Sequence, residues 1–174
     1  MVAPTTISTH EARRAELTLA TKVADLTGPG ITDRFGVGGT DLGTTTTAPD
    51  GRLVSVFGDT FASPRAGGRG WRSPVVLFGD PASVPTGLRF TGSAGRRRLL
   101  RRGWARQAVR YVHQTPRRFG GRWHRVTTVL PTDVIRIGDV LYLHVMVCRE
   151  LGRVHWTELH ASRDGGETWR PTGV

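Results

Sequence analysis

The sequence has 174 residues, which fits one domain, and its 23 glycines, 10 prolines and 7% aromatic content favour turns and short strands over long helices. Its formal net charge is +11, and eleven arginines lie in the interval 96–125, which contains no Asp or Glu. The single cysteine, Cys148, excludes an intramolecular disulfide and a cysteine-cluster metal site. No segment has the length and hydropathy of a membrane span.

The chain begins with a polar stretch and then changes to a strand-and-turn pattern. Residues 1–20 lack the apolar core of a signal peptide, so we expect a polar lead-in followed by one folded domain over residues 21–174. Within this domain, residues from about 36 to 92 form a first strand-and-turn unit. Short apolar runs at 53–57, 75–78 and 88–90, with a Pro-Asp-Gly turn at 49–51, predict one four-stranded antiparallel unit.

An arginine-rich insert of about residues 93–125 separates this unit from the next. The apolar residues of the insert could form one face of a short amphipathic helix, with arginines on the solvent-facing side. These apolar residues are Leu99, Leu100, Trp104, Ala108, Val109 and Val112. A solvated basic loop is the alternative. For function, the Arg96–Arg125 segment is either a plain solvated surface or a binding site for an acidic polymer or lipid surface. No nucleic-acid recognition motif accompanies it, so we expect no specific nucleic-acid partner.

A second unit covers about residues 126–174. The run 134–137 alternates in polarity, Gly138-Asp139 has the pattern of a two-residue hairpin turn, and 140–147 is rich in β-branched and apolar residues. A third strand is predicted at 154–161, and the last six residues remain for a fourth. Strand alternation places Tyr142, His144 and Met146 on one face of the second strand.

The segment 162–169, SRDGGETW, resembles the Asp box, S-x-D-x-G-x-x-W, of sialidase-type propellers. We expect the Ser162 hydroxyl and Asp164 carboxylate to cap a tight turn, Gly166 to permit positive φ, and Trp169 to pack between sheets. The predicted fold class is therefore all-β: a partial β-propeller of about two antiparallel four-stranded blades. Blades of about 40–50 residues leave too little chain for a closed ring, so self-association of the open edges is plausible.

Two aspartates have a context that suits chemistry. Asp41 lies among glycines, and Asp59 directly follows the strand at 53–57. A hairpin through the turn at 49–51 would bring both to one rim of the sheet. Two converging carboxylates are the minimum for glycoside hydrolysis, in which one is the general acid and the other the base or nucleophile. By local pattern alone, aspartates beside glycines are more often turn formers than catalytic groups.

Five ordered strings resemble a family known as domain of unknown function 4185: GVGGTDLG, VFGDTF, GWRSPVVLF, LPTDVIRIGDVLYLHVMV and SRDGGETW. The likeness covers about residues 26–169 outside the arginine-rich insert. It implies an actinobacterial five-bladed propeller, here truncated, and a glycoside hydrolase of the endo-D-arabinanase kind acting on cell-envelope arabinan. The family's essential acids lie in GTDLG and FGDTF, which implies catalytic roles for Asp41 and Asp59, without saying which is the acid.

Four further residues are candidates for substrate binding. Asp133 belongs to the same family pattern and could bind sugar hydroxyls or open a strand. Trp71 could stack on a furanose ring and Arg72 could be a polar partner, although a tryptophan after a glycine loop is commonly a core residue. His144 is more readily an interior histidine than a ligand. The histidines lack metal-ligand spacing, so we expect neither metal nor cofactor.

Two alternatives to an active enzyme remain open. The chain could be a non-catalytic fragment that binds carbohydrate or an anionic surface, or an inactive truncated relic. The family resemblance implies an extracellular or cell-envelope location, whereas the sequence shows no signal peptide.

Overall fold

The computed structural model describes residues 21–95, 104–109, 116–119, 122–150 and 153–173. Within these ranges the chain forms twelve strands and two short 3-10 helices, at Asp33–Phe35 and Pro81–Thr86. The strands are β1 (Gly39–Thr40), β2 (Thr44–Thr47), β3 (Leu53–Phe57), β4 (Thr60–Phe61), β5 (Val75–Asp80), β6 (Arg89–Ser93), β7 (Pro116–Phe119), β8 (Arg122–Arg125), β9 (Thr128–Ile137), β10 (Val140–Glu150), β11 (Arg153–Ser162) and β12 (Arg170–Pro171). No helix among the described residues is long and apolar enough to cross a membrane.

The first sheet has the order β2-β3-β5-β6, with every neighbour antiparallel. The turn between β2 and β3 closes through hydrogen bonds between Ala48 and Arg52 and between Gly51 and Ala48. Gly51 has φ +87, a conformation that glycine adopts without strain. The strands predicted around 53–57, 75–78 and 88–90 are confirmed, with the last shifted slightly to 89–93.

The second sheet has the order β12-β11-β10-β9 and is also antiparallel. Its β9–β10 hairpin turns at Gly138 and Asp139, with Val140 opposite Ile137, as the sequence predicts. Buried and half-buried residues alternate along β10 from Leu141 to Val147. The β9 strand begins at Thr128, earlier than the alternation indicated, and β12 has only two residues.

The two sheets pack face to face, like neighbouring propeller blades. One face of the first sheet, including Val54 and Phe78, shares a core with the inward row of β10, including Leu141 and Val145. The opposite face of the first sheet has a second core, completed by Phe35, Val37 and Ala105 from outside the sheet. The fold is thus all-β and propeller-like, and none of its described sheets is closed.

The arginine-rich insert differs from the helix prediction wherever it is described. Residues 104–109 contain no helical turn. Instead, the Ala105 N–H donates to Phe35, the Ala108 N–H donates to Pro74, and Gln107 forms a β-bridge with Val75. Tertiary pairing with the first sheet therefore overrides the apolar periodicity. Leu99, Leu100 and Val112 lie outside the described residues, whereas β7 and β8 form a hairpin later in the insert.

Candidate functional site

A narrow three-part ribbon lies beside the first sheet. It consists of β1, β4 and the Trp71–Arg72 segment; Thr40 pairs with Thr60, and Thr60 forms a bridge with Arg72. We call this the site ribbon. Since β1 and β4 are antiparallel, the residue that follows β1 and the residue that precedes β4 lie at the same end of the ribbon, its foot. These residues are Asp41 and Asp59.

The Asp59 carboxylate is held by two donors. Trp71 Nε1 donates to Asp59 Oδ1 at 3.0 Å, and Thr128 Oγ1 donates to the same oxygen at 2.7 Å. Asp59 and Trp71 are half-buried, and Thr128 is buried. An oxygen that accepts two hydrogen bonds is fixed in orientation. The two donors therefore hold the Asp59 carboxyl group in one position at the ribbon foot.

Asp41 lies next to Asp59, and its pKa is raised by its surroundings. Burial against the ribbon foot and then the negative charge of Asp59 raise the pKa of Asp41 above its ordinary 3.8, although hydrogen bonds from the backbone N–H groups of Asp59 and Asp41 partly offset this. The Asp41 residue is nevertheless exposed to solvent. The foot therefore holds one carboxyl group fixed by two side-chain donors, Asp59, and one whose pKa is raised, Asp41.

Gly58 allows the segment that contains Asp59 to lie close to the segment that contains Asp41. Its N–H donates to the Asp41 carbonyl at 2.9 Å, and a Cβ on Gly58 would lie 2.6 Å from Asp41 Oδ1. A larger residue would force the Asp41 side chain to move. The glycine in the string VFGDTF thus allows the Asp41 carboxyl group its present position.

Thr128 is a site residue that the sequence reasoning missed. It is the first residue of β9, 69 positions after Asp59, and it brings the second sheet to the ribbon foot. Cys148 pairs with Thr128 across the β9–β10 ladder and is free and buried. Burial, followed by the charge of Asp59, raises the pKa of the Cys148 thiol. No local signal in the sequence marks Thr128, because its role depends on packing between sheets.

Asp133 forms a second contact between the sheets. Thr44 Oγ1 donates to Asp133 Oδ1 at 2.8 Å, and the Val134 N–H donates to the same oxygen at 2.8 Å. Thr44 opens β2, three residues after Asp41. His144 lies opposite Asp133 in the ladder, and its Nδ1 is 2.5 Å from Thr132 Oγ1. Asp133 and Thr132 are exposed, and His144 is half-buried.

Trp71 and Arg72 have different surroundings. Whereas the Trp71 indole contacts Asp59, the Arg72 guanidinium donates to the carbonyls of Gly36, at 2.8 Å, and Gly70. It also lies 5.5 Å from the Trp104 ring centroid. Burial lowers the pKa of Arg72 to about 10. Arg72 thus ties the ribbon to Gly36 and to the Trp104 ring. Its two terminal nitrogens donate to backbone carbonyls, whereas its buried Nε has no hydrogen-bond partner among the described residues.

The 162–169 turn lies at the far end of β11 and is built by its own side chains. The Gly166 N–H donates to Ser162 Oγ at 2.9 Å, and the Thr168 N–H donates to Asp164 Oδ1 at 2.9 Å. Trp169 is buried, and its Nε1 donates to the Gly166 carbonyl. Burial acts to raise the pKa of Asp164, but hydrogen bonds from Thr168 and Ser162 outweigh it and hold that pKa below 3.8.

Arg52 connects this turn to the first sheet. Its guanidinium lies 3.8 Å from the Phe78 ring centroid, donates to the Gly165 carbonyl at 3.1 Å, and forms ion pairs with Asp50 and Glu167. The turn therefore contributes to packing between the two sheets. Among the described residues no group of three or more His, Cys, Asp or Glu side chains could hold a metal ion.

Comparison with other proteins gives one family and two distant or partial likenesses. The chain is 38% identical over 66 residues to a Mycolicibacterium smegmatis protein described as "Uncharacterized 35.9 kDa protein in asd 3'region"; this match covers 37% of the chain and 20% of that relative. A crystal structure from Bacteroides ovatus, described as a "putative hydrolase", has a TM-score of 0.45 and 14% identity, covering 82% of the chain and 40% of its own.

The chain thus spans well under two thirds of either protein's length. The family model described as Domain of unknown function (DUF4185) matches residues 27–174, which is most of the chain and includes the ribbon, both sheets and the 162–169 turn. The resemblance carried by the five sequence strings is confirmed by this match: the chain belongs to the DUF4185 family.

Proposed function

We propose that this chain carries the paired-carboxylate site of a glycoside hydrolase that acts on arabinan-type polysaccharide of the cell envelope. The observation that carries the proposal is the asymmetry at the ribbon foot. Asp59 is held as an acceptor by two donors, and its charge helps to raise the pKa of the adjacent Asp41. Carboxylates whose environments differ in this way are the acid and base of glycosidases.

The asymmetry supports a different role for each aspartate. Asp41, shifted towards the protonated form and exposed to incoming substrate, is the general acid that donates a proton to the departing glycosidic oxygen. Asp59 is the carboxylate that either activates water or attacks the anomeric carbon. Trp71 and Thr128 fix Asp59 Oδ1 in place, which leaves Oδ2 for this step.

The remaining candidates have supporting roles. Asp133 is hydrogen-bonded to Thr44, which follows Asp41 by three residues, and this polar pair is suited to binding sugar hydroxyls. His144 contacts Thr132, the residue before Asp133, and helps to hold this part of β9 in place. Arg72 does not join this group, since its guanidinium is bonded to Gly36 and Gly70.

The experiment is to incubate the purified chain with mycobacterial arabinogalactan and to assay released oligosaccharides. An Asp41→Asn, Asp59→Asn double variant is the test protein. Asp139→Asn, in the exposed β9–β10 turn, is the matched control. We expect release by the wild type and by the control, and none by the double variant. A folded wild type that binds arabinogalactan without cleaving it supports the non-catalytic binding alternative and contradicts the proposal.

A further inference from the structure

The tip of the site ribbon, at the end opposite the candidate catalytic pair, carries two arginines. The loop that joins β4 to Trp71 has the sequence Ala-Ser-Pro-Arg-Ala-Gly-Gly-Arg-Gly over residues 62–70 and contains no acidic residue. Arg65 and Arg69 are its charged members, and both are exposed. Arg65 is six positions after Asp59, so the Arg65 Cα lies at most about 22 Å from the Asp59 Cα at the ribbon foot.

This loop has a defined shape. The Ala62 N–H donates to the Arg69 carbonyl at 2.9 Å, and the Gly68 N–H donates to the Arg65 carbonyl at 3.2 Å. The loop also packs closely on β1, since a Cβ on Gly38 would lie 2.4 Å from the Ala62 carbonyl oxygen. Both arginines therefore project from a turn that is braced against the strand leading to Asp41.

The two guanidinium groups differ from that of Arg72 in having no partner within the part of the chain that the structure describes. Arg72, on the same ribbon, is bonded to backbone carbonyls and is half-buried. Arg65 and Arg69 make no side-chain hydrogen bond or ion pair with any described residue. Free guanidinium groups bind carboxylate and phosphate groups in a bidentate geometry. Their charge also attracts an anionic chain that the two aspartates would otherwise repel.

We propose that the ribbon tip binds anionic substituents, carboxylate or phosphate, of the polysaccharide whose chain passes the Asp41–Asp59 pair. This inference rests on the proposed function and narrows it, because it makes an acidic glycan the preferred ligand. The arginines act in binding and take no part in the cleavage step.

The test measures equilibrium binding, so it is independent of hydrolysis. Polygalacturonate and its fully methyl-esterified form present the same backbone with and without charge. Phosphomannan and phosphatase-treated phosphomannan present one mannan backbone with and without phosphate groups. The test protein is an Arg65→Gln, Arg69→Gln double variant. The control is an Arg163→Gln, Arg170→Gln double variant, which loses the same charge. These two arginines lie near the C-terminal end of β11, whereas the N-terminal end of β11 pairs with Cys148 beside the site.

We expect the wild type to prefer at least one charged glycan over its neutral form, and salt to weaken that preference. The ribbon variant should bind that glycan about tenfold more weakly, and the control should bind within about twofold of wild type. Which charged glycan is preferred distinguishes carboxylate from phosphate. Equal wild-type affinity for charged and neutral forms, equal losses in both variants, or tighter binding to single-stranded DNA than to either glycan would overturn the inference. Failure to cleave arabinogalactan, with the charge preference intact, would contradict the proposed function alone.

Discussion

Asp41 and Asp164 both lie in glycine-rich segments that connect strands, and their surroundings affect the carboxylate in opposite directions. At the ribbon foot, burial and the charge of Asp59 raise the pKa of Asp41. In the 162–169 turn, hydrogen bonds from Thr168 and Ser162 hold the pKa of Asp164 low despite burial. An aspartate whose anion is disfavoured can deliver a proton, whereas one whose anion is fully hydrogen-bonded stabilises a turn.

The largest expected effect is a loss of the rate of glycan cleavage at the ribbon foot, with little change of that rate at the 162–169 turn. Asp59→Asn keeps the size of the side chain but removes the anion at the foot, so we expect the rate of glycan cleavage to fall by about 10²–10⁴-fold. Asp164→Asn should leave the rate per folded molecule within about twofold. Initial rates at equal folded concentration measure both. A similar rate loss in the two variants would show that the loss comes from the fold rather than from the site.

A smaller rate effect is expected from Gly58→Ala. The new Cβ would meet Asp41 Oδ1 at 2.6 Å and displace the acid, while the backbone φ of Gly58 lies outside the positive region that favours glycine. A displacement of about 1 Å can lower the rate about 10²-fold. Gly92→Ala, whose Cβ would lie 3.3 Å from the Phe78 ring, is the control. Unchanged kinetics in Gly58→Ala would contradict the placement of Asp41.

The 162–169 turn should show its effect in stability. Asp164→Ala removes the acceptor for the Thr168 N–H, the Thr168 hydroxyl and the Ser162 hydroxyl, so we expect a loss of about 2 kcal/mol in the free energy of unfolding. Because the folded-state pKa of Asp164 is lowered, this stabilisation is present above about pH 3.8 and is lost as the pH falls through the lower value. Urea titrations across that range, with Asp139→Ala as the control, measure it.

The smallest expected effect is the stability change in Asp41→Asn. A raised folded-state pKa means that the folded chain holds a proton that the unfolded chain releases, so wild-type stability falls as the pH rises above 3.8 towards the folded value. The variant lacks this decline and should be as stable as wild type, or more stable by about 0.5 kcal/mol or less, at neutral pH because solvent screens the exposed side. Clear destabilisation at neutral pH would contradict the unfavourable environment assigned to the Asp41 anion.

Local patterns in the sequence predict the sheets well because each signal lies within a few residues. The β9–β10 hairpin follows from Gly138-Asp139 and from the alternation on either side. The helix around Trp104 is not formed in the described part because Ala105 and Ala108 instead bond to distant backbone at Phe35 and Pro74. Hydrogen bonds between residues so far apart in the sequence cannot be predicted from the local periodicity of apolar residues.

The candidate site is predictable only in part for the same reason. Asp41 and Asp59 stand out by their context, and a hairpin brings them to one rim. Thr128 and its hydrogen bond to Asp59 depend on how the second sheet packs on the first, across 69 positions. The different directions of Trp71 and Arg72 follow from strand alternation once Arg72 is known to form a bridge with Thr60.

The division of roles between Asp41 and Asp59 is tested most directly by the pH dependence of kcat/KM for glycan cleavage, in wild type and in Asp41→Asn. With Asp41 as the general acid, wild-type kcat/KM declines on the alkaline side as the pH rises through the raised pKa of Asp41. The much slower Asp41→Asn variant should lack that decline. An alkaline decline that persists unchanged in the variant would show that another group supplies the proton and would contradict the assignment.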